Sequence, residues 1–196
     1  AAHAAKVRRF VYASSACVYD TRLEIPLTEA APTCHPLPGY GDEKVFGERL
    51  CAAANADGVL SAVAARLFTV YGQGDDYGAK GKFIPSICAK VAEAVAERKA
   101  TIPIWGDGQQ VRSVIYINDC VEALWRLANT GVEAPINIAS AHAITPNGLL
   151  VILSDIIGRQ FPTHHDLTKP VGVRARIADT TLMDRVFEDW APSTNP

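Results

Sequence analysis

Arg9-Phe10-Val11-Tyr12-Ala13, running into Ser14-Ser15-Ala16-Cys17-Val18-Tyr19, decides the fold. A short apolar run of this kind, bounded by serines, reads as a buried strand of a parallel sheet. In open α/β sheets the working groups collect at the carboxyl ends of such strands, here at the serines and the cysteine. After a loop bearing Pro26, Pro32, Pro36 and Pro38, the segment 40–55 places Val45, Phe46, Leu50 and Cys51 at helical spacing, and Gly58 stops it. Residues 60–67 read as the next strand.

The alternation continues to the end of the chain. A helix is expected over 83–98, strands over 101–105 and 111–117, and a helix capped by Asn118-Asp119 that runs to about 129. A strand follows over 135–139, then a helix over 146–157 opened by Thr145 with Pro146 at its first position. A short strand over 161–165 and a helix over 180–187 complete the series, and 193–196 should fray. Strand and helix in turn are the mark of an α/β protein.

Composition narrows the function classes. In 196 residues, 48% are hydrophobic and 20% charged, and the formal net charge is -2, so no global field draws the chain to nucleic acid or anionic membrane. Any anionic ligand must be held by local arginines. No apolar run approaches the roughly 20 residues of a membrane span, and no signal-like segment opens the chain, which is the profile of a cytoplasmic enzyme. The five cysteines (Cys17, Cys34, Cys51, Cys88, Cys120) are scattered without C-x-x-C spacing, so neither a disulfide framework nor a metal site is indicated. Cys51, Cys88 and Cys120 fall on apolar helical faces as small buried hydrophobes, and Cys34 reads as a loop thiol.

Tyr40 and Lys44 stand at Y-x-x-x-K spacing. On a helix these positions share a face, so the ammonium of Lys44 can draw the phenol of Tyr40 down from its ordinary pKa of about 10. A phenol tuned in this way can take a proton from a hydroxyl while hydride leaves the same carbon.

The ordered series Tyr12 to Tyr19, Tyr40 to Lys44, Arg66 with Tyr71-Gly72, Trp105-Gly106-Asp107-Gly108-Gln109-Gln110-Val111-Arg112-Ser113, Pro135 to Ile138, Gly172-Val173-Arg174-Ala175-Arg176 and Trp190-Ala191-Pro192 resembles the extended short-chain dehydrogenase/reductase family of NAD-dependent epimerases and dehydratases. Within it the likeness is greatest to the GDP-mannose 3,5-epimerases. The resemblance implies the C-terminal part of a Rossmann-type doubly wound parallel sheet over 1–70. Residues 71–196 would then form mainly a smaller α/β substrate-binding lobe, with some segments returning to the Rossmann domain. It also implies NAD as cofactor, a nucleotide sugar such as GDP-mannose as substrate, and a homodimer for the complete enzyme.

Site residues follow from the same match. Ser15 would hydrogen-bond the substrate oxygen beside Tyr40, although a strand-end serine also caps turns. Cys17 stands where related dehydratases carry a carboxylic acid, and in the resembled epimerases a cysteine works with a lysine to exchange protons on opposite faces of a carbon. A thiol near pKa 8.5 can serve as such a base beside cations. Lys82 is the partner lysine implied, with Lys80 two residues away as the alternative. Arg112, Arg174 and behind them Arg176 would grip a diphosphate through forked hydrogen bonds. Thr69 replaces a substrate-contacting amide of most relatives, and Phe68 a frequent histidine, so substrate identity is the least determined feature.

No G-x-G-x-x-G turn occurs anywhere in the sequence, and Gly72-Gln73-Gly74 follows the wrong strand. In the resembled family a segment on the order of a hundred residues, holding that turn, would precede Ala1. The chain is therefore expected to be incomplete or partnered. The rival readings are another nucleotide-sugar 4-epimerase or 4,6-dehydratase, and a remnant without catalytic activity.

Overall fold

A computed structural model describes residues 2, 5–20, 22, 23, 25–33, 39–78 and 82–194. Lys80 and Cys34 lie outside the described residues. The first sheet is built from β1 (Arg9–Ser15), β2 (Ser61–Leu67) and β6 (Ile136–Ile138), all parallel, in the order β1-β2-β6. On one face lies α1 (Tyr40–Ala56), and on the other lie α3 (Ile117–Ala128) and α5 (Thr181–Val186).

The pleat of β2 sorts the two faces. Val63 and Ala65 join Ile136, Ile138, Cys120, Ala123, Leu127, Met183 and Phe187 in one core. Arg66, in the alternate set, turns toward α1 and meets Glu48. Helix α1 lies close to β1 because Gly47 has no Cβ: one built there would stand 2.2 Å from Cζ of Tyr12. The helix ends at Ala56, and Gly58 follows in the left-handed region at φ 63°, as the stop signal requires.

Strand β1 differs from expectation in one respect. It is one of the two edge strands of its sheet among the described elements, with Phe10 38% exposed and Ala13 exposed, because only β2 covers its flank.

The chain leaves the first sheet at Phe68, whose N–H still donates to Ile138, and enters a second sheet as β3 (Thr69–Tyr71). There β5 (Val111–Tyr116) is the hub, parallel to β3 and β9 (Ala175–Arg176) and antiparallel to β7 (Ala143–Ile144). A third, two-stranded parallel sheet joins β4 (Ile102–Trp105) to β8 (Thr163–Asp166). Helices α2 (Phe83–Ala96) and α4 (Pro146–Ile157) enclose a second core with Ile102, Ile104, Val114 and Phe161.

Two local expectations change. Strand β5 feeds directly into α3, which begins at Ile117 with Tyr116 as its cap residue and no side-chain cap, so Asn118-Asp119 lie inside the first turn. The Asp119 carboxylate accepts instead from the N–H of Thr194, at 3.0 Å, so that part of the terminus expected to fray is held. At α4 the cap is the one expected: Thr145 Oγ1 accepts from Gly148 N–H at 2.9 Å.

Candidate active site

The carboxyl ends of β1 and β2 open into a cleft of about 840 Å³. Ser15, Cys17, Tyr40, Lys44, Thr69, Lys82, Arg112 and Arg176, eight of the nine residues singled out in the sequence, line it together. Its described lining carries four basic side chains, Lys44, Lys82, Arg112 and Arg176, and no carboxylate.

Ser15 ends β1 and caps the 3-10 turn Ala16–Val18, its Oγ accepting from Cys17 N–H at 3.1 Å. That bond uses one lone pair and leaves the hydroxyl proton free to donate. Lys44 donates to the carbonyl of Ala13 at 2.7 Å, and its ammonium stands 5.4 Å from the Tyr40 ring centre and 5.2 Å from that of Tyr12. One turn of helix thus sets Lys44 between two phenols. Tyr40 itself is 57% exposed at the mouth of the cleft.

Cys17 meets an arginine that the sequence ranked last. Arg176 Nη1 donates to its Sγ at 3.1 Å across 159 residues of chain. Arg112 and Arg176 are register partners on β5 and β9, so two guanidinium groups are neighbours beside one sulfur. Burial pushes Arg112 below its ordinary range, the nearby charge of Arg176 adds to that, and Cys17 offsets part of it. Arg112 is held by the carbonyls of Val111 (2.8 Å) and Val173 (2.5 Å). Two adjacent cations without a counter-carboxylate are an arrangement suited to a polyanion.

Arg174 is not among the lining residues. It pairs with Asp107 at 2.6 Å on the exposed turn after β4. The N–H of Gln109 first, and then Arg174, hold the Asp107 carboxyl below the usual range.

A second pocket of about 620 Å³ adjoins the first and shares Lys82 and Phe83 with it. Lys90 and Trp105 form one side, the ammonium 5.7 Å from the ring centre, and burial lowers the Lys90 pKa. Gln110 lines this pocket too, and its Oε1 is buried without a hydrogen-bond partner among the described residues. None of these three was singled out in the sequence as a site residue, although Trp105 and Gln110 stand in the Trp105 to Ser113 motif.

Beneath the cleft lies a second group that sequence reasoning missed. Glu48 on α1 receives Arg66 through both oxygens, at 2.9 and 2.7 Å, and accepts from Ser14 Oγ at 2.5 Å. Arg66 also donates to Tyr19 Oη at 3.0 Å, and Tyr19 donates to Asn137 Oδ1 at 2.6 Å. Although burial opposes its charge, the bonds to Glu48 and Tyr19 hold Arg66 above its ordinary range. Ser14, Tyr19, Arg66 and Asn137 all stand in motifs quoted from the sequence, and Glu48, which joins them, does not. Among the described residues no cluster of His, Cys, Asp or Glu could hold a metal, and no helix is long and apolar enough to cross a membrane.

Residues 1–139 match the model of the NAD dependent epimerase/dehydratase family. GDP-mannose 3,5-epimerase 1 of Oryza sativa subsp. indica is 34% identical over 95% of this chain and 50% of its own length. A dTDP-4-dehydro-6-deoxy-D-allose reductase of Streptomyces bikiniensis is also 34% identical, over 76% of this chain and 45% of its own length. The UDP-glucose 4-epimerase of Thermotoga maritima superposes with a TM-score of 0.85 over 99% of this chain and 61% of that one, at 23% identity, a likeness of fold. The chain spans about half the length of the curated relatives it matches. With 139 of its 196 residues inside the family model and the Ser15, Tyr40 and Lys44 cleft at the strand ends, this chain belongs to the NAD dependent epimerase/dehydratase family.

Proposed function

We propose that the cleft is the sugar-processing site of a nucleotide-sugar epimerase whose substrate is GDP-mannose. The observation that carries this reading is the convergence of Ser15, Cys17, Tyr40, Lys44 and Lys82 on one cleft whose described lining holds four cations and no carboxylate. The two adjoining pockets, joined at Lys82 and Phe83, give room for a sugar, a diphosphate and a base laid end to end. Arg112 and Arg176 hold the diphosphate, Lys90, Trp105 and Gln110 receive the base, and the sugar lies over Cys17.

NAD is the cofactor of the family, and Tyr40 and Lys44, at the ends of the strands, fit its nicotinamide ribose. No glycine turn for its pyrophosphate is present in the 196 residues. Held there, NAD would supply the hydride acceptor, and then the hydride donor, for the sugar C4. Tyr40, with Lys44 beside it and Ser15 donating to the same oxygen, takes and later restores the proton of the C4 hydroxyl. With a carbonyl at C4 the protons on C3 and C5 become acidic. Cys17 and Lys82 exchange them, one removing a proton from carbon and the other donating one on the opposite face.

The division of labour follows the sheets. Residues 1–70 serve the cofactor side and bring Ser15 and Cys17 to the sugar, while 71–196 serve mainly the substrate side, with β6, α3 and α5 returning to the first sheet. In the complete enzyme, a cytoplasmic homodimer, the outward face of α1, where Phe46 is 63% and Leu50 56% exposed, meets a second copy. Thr69 on the lining favours one other reading, a 4-epimerase or 4,6-dehydratase for a different nucleotide sugar, because a hydroxyl cannot make the two-ended contact of an amide. Incubation of the complete enzyme with NAD and GDP-mannose in heavy water decides between them. Deuterium at C3 and C5, lost in Cys17→Ala, is the expected result, and faster turnover of UDP-glucose at matched concentration overturns it.

A further inference from the structure

We infer that the buried Glu48–Arg66 pair is the positioning device of the site, fixing both the Tyr40 and Lys44 helix and the Cys17 turn to a single point in the sheet. The inference rests on the proposed roles of those three residues. Its geometry starts from spacing: Tyr40, Lys44 and Glu48 follow one another at intervals of four along α1, so they share one helix face. Glu48 is the buried member of that row, 8% exposed, and its carboxylate is held by three donors from two strands.

Ser14 and Arg66, which supply those donors, are register partners on β1 and β2. Ser14 lines the cleft, and Ser15 follows it directly. The remaining nitrogen of Arg66 reaches Tyr19 Oη at 3.0 Å and the carbonyl of Glu29 at 3.0 Å. Tyr19 is the residue that closes the 3-10 turn carrying Cys17. One guanidinium therefore refers the helix that bears Tyr40 and Lys44, and the turn that bears Cys17, to the same atoms. Tyr19 passes the link to Asn137 on β6, so all three strands of the first sheet take part.

The C-terminal end of α1 is tied to β2 by Asn55, whose amide exchanges two hydrogen bonds with the Ala62 backbone, but at the site end apolar packing on the small residues of β2, with Ala64 only 2% exposed, would still let the helix slide or roll. A fork-to-fork pair has one geometry and forbids that slide. Its use is register, since an apolar pair of equal volume would stabilise the fold as well or better.

The test compares Glu48→Gln, Arg66→Lys, Ser14→Ala and Tyr40→Phe with the parent, all in the complete enzyme with NAD, reading deuterium exchange and, separately, the acylation rate of Lys44 by mass spectrometry. Glu48→Gln keeps the shape but faces Arg66 with one acceptor, and Arg66→Lys keeps the charge but loses the fork. Both are expected to lower kcat about 100-fold with KM unchanged, the cost of an ångström of misplacement. Lys44 should acylate severalfold faster in both while Lys90 keeps its rate, a local change that general loosening would not give. Ser14→Ala, which leaves the ion pair intact, should shift both readings in the same direction by less, and it serves if the other two fail to fold. Parental kcat and parental Lys44 labelling in folded Glu48→Gln and Ser14→Ala overturn the positioning role. Parental exchange in Tyr40→Phe overturns the proposed chemistry instead, and the labelling then judges the positioning by itself.

Discussion

Arg66 and Arg112 stand on strands of adjoining sheets, and the protein answers their charges in opposite ways. Arg66, buried on β2, is matched through both carboxylate oxygens by Glu48 and rises above its ordinary range. Arg112, half-buried on β5, is held among the described residues by backbone carbonyls alone, has Arg176 as its neighbour, and falls below that range. An arginine that serves the fold is neutralised by the fold. One left uncompensated at the wall of a cleft is waiting for an anion.

The sharpest way to break this contrast is to remove the partner that exists. Glu48→Leu leaves Arg66 charged and unpaired among groups exposed 7% or less, and should cost about 3–5 kcal/mol in urea unfolding. Arg112→Ala has no carboxylate to strand and should cost the fold about 1 kcal/mol, the ordinary size of a point substitution. Its loss appears in binding. Titration calorimetry should show GDP and UDP weakened alike, by about 1.5–3 kcal/mol, the size of a charge-assisted contact. Equal destabilisation by the two variants, or unchanged binding in Arg112→Ala, would show that the two arginines are of one kind.

A smaller effect separates Cys17 from the more deeply set cysteines, Cys120 among them although it too borders the cleft. Burial pushes the Cys120 thiol up to about 11, and it also raises Cys51, with Glu48 adding to the shift, and Cys88. At pH 8 these three should stay protonated and alkylate slowly. Cys17, half-buried on the cleft wall, should alkylate ahead of these three and be protected by GDP-mannose. Protection by GDP-mannose of Cys51 instead, which lies beyond Glu48 on the buried face of α1 and outside the cleft lining, would place the ligand elsewhere.

What could be read from the sequence was what is local. Strand β1, helix α1 and strand β2 announce themselves by apolar runs and periodicity, and Tyr40 with Lys44 needs only one helical turn to meet. Strands β3, β7 and β9 have two or three residues each and carry no period of their own, since pairing with β5 makes them strands. Asn118-Asp119 had the composition of a cap, but β5 runs straight into α3 and leaves no room for one. The contacts that organise the site span the chain: Arg66 to Glu48 across 18 residues, Tyr19 to Asn137 across 118, Arg176 to Cys17 across 159. No spacing rule reaches that far.

The smallest expected effect concerns Arg174, which the family motif groups with Arg112 and which the fold gives a partner of its own. Its side chain is 68% exposed and tied to Asp107 on the turn after β4, away from the cleft lining. Asp107 is depressed by the Gln109 N–H and by Arg174, so whatever the pair contributes is present above the ordinary carboxyl pKa of about 3.9. That contribution is lost as pH falls through the lower folded value. At neutral pH the pair is intact, and Arg174→Ala should change the Kd for GDP by less than about twofold, well short of the effect at Arg112. A loss as large as that of Arg112→Ala would mean that Arg174 leaves Asp107 to take the diphosphate. Asp107→Asn would then tighten binding by freeing it, a result that a purely structural pair would not give.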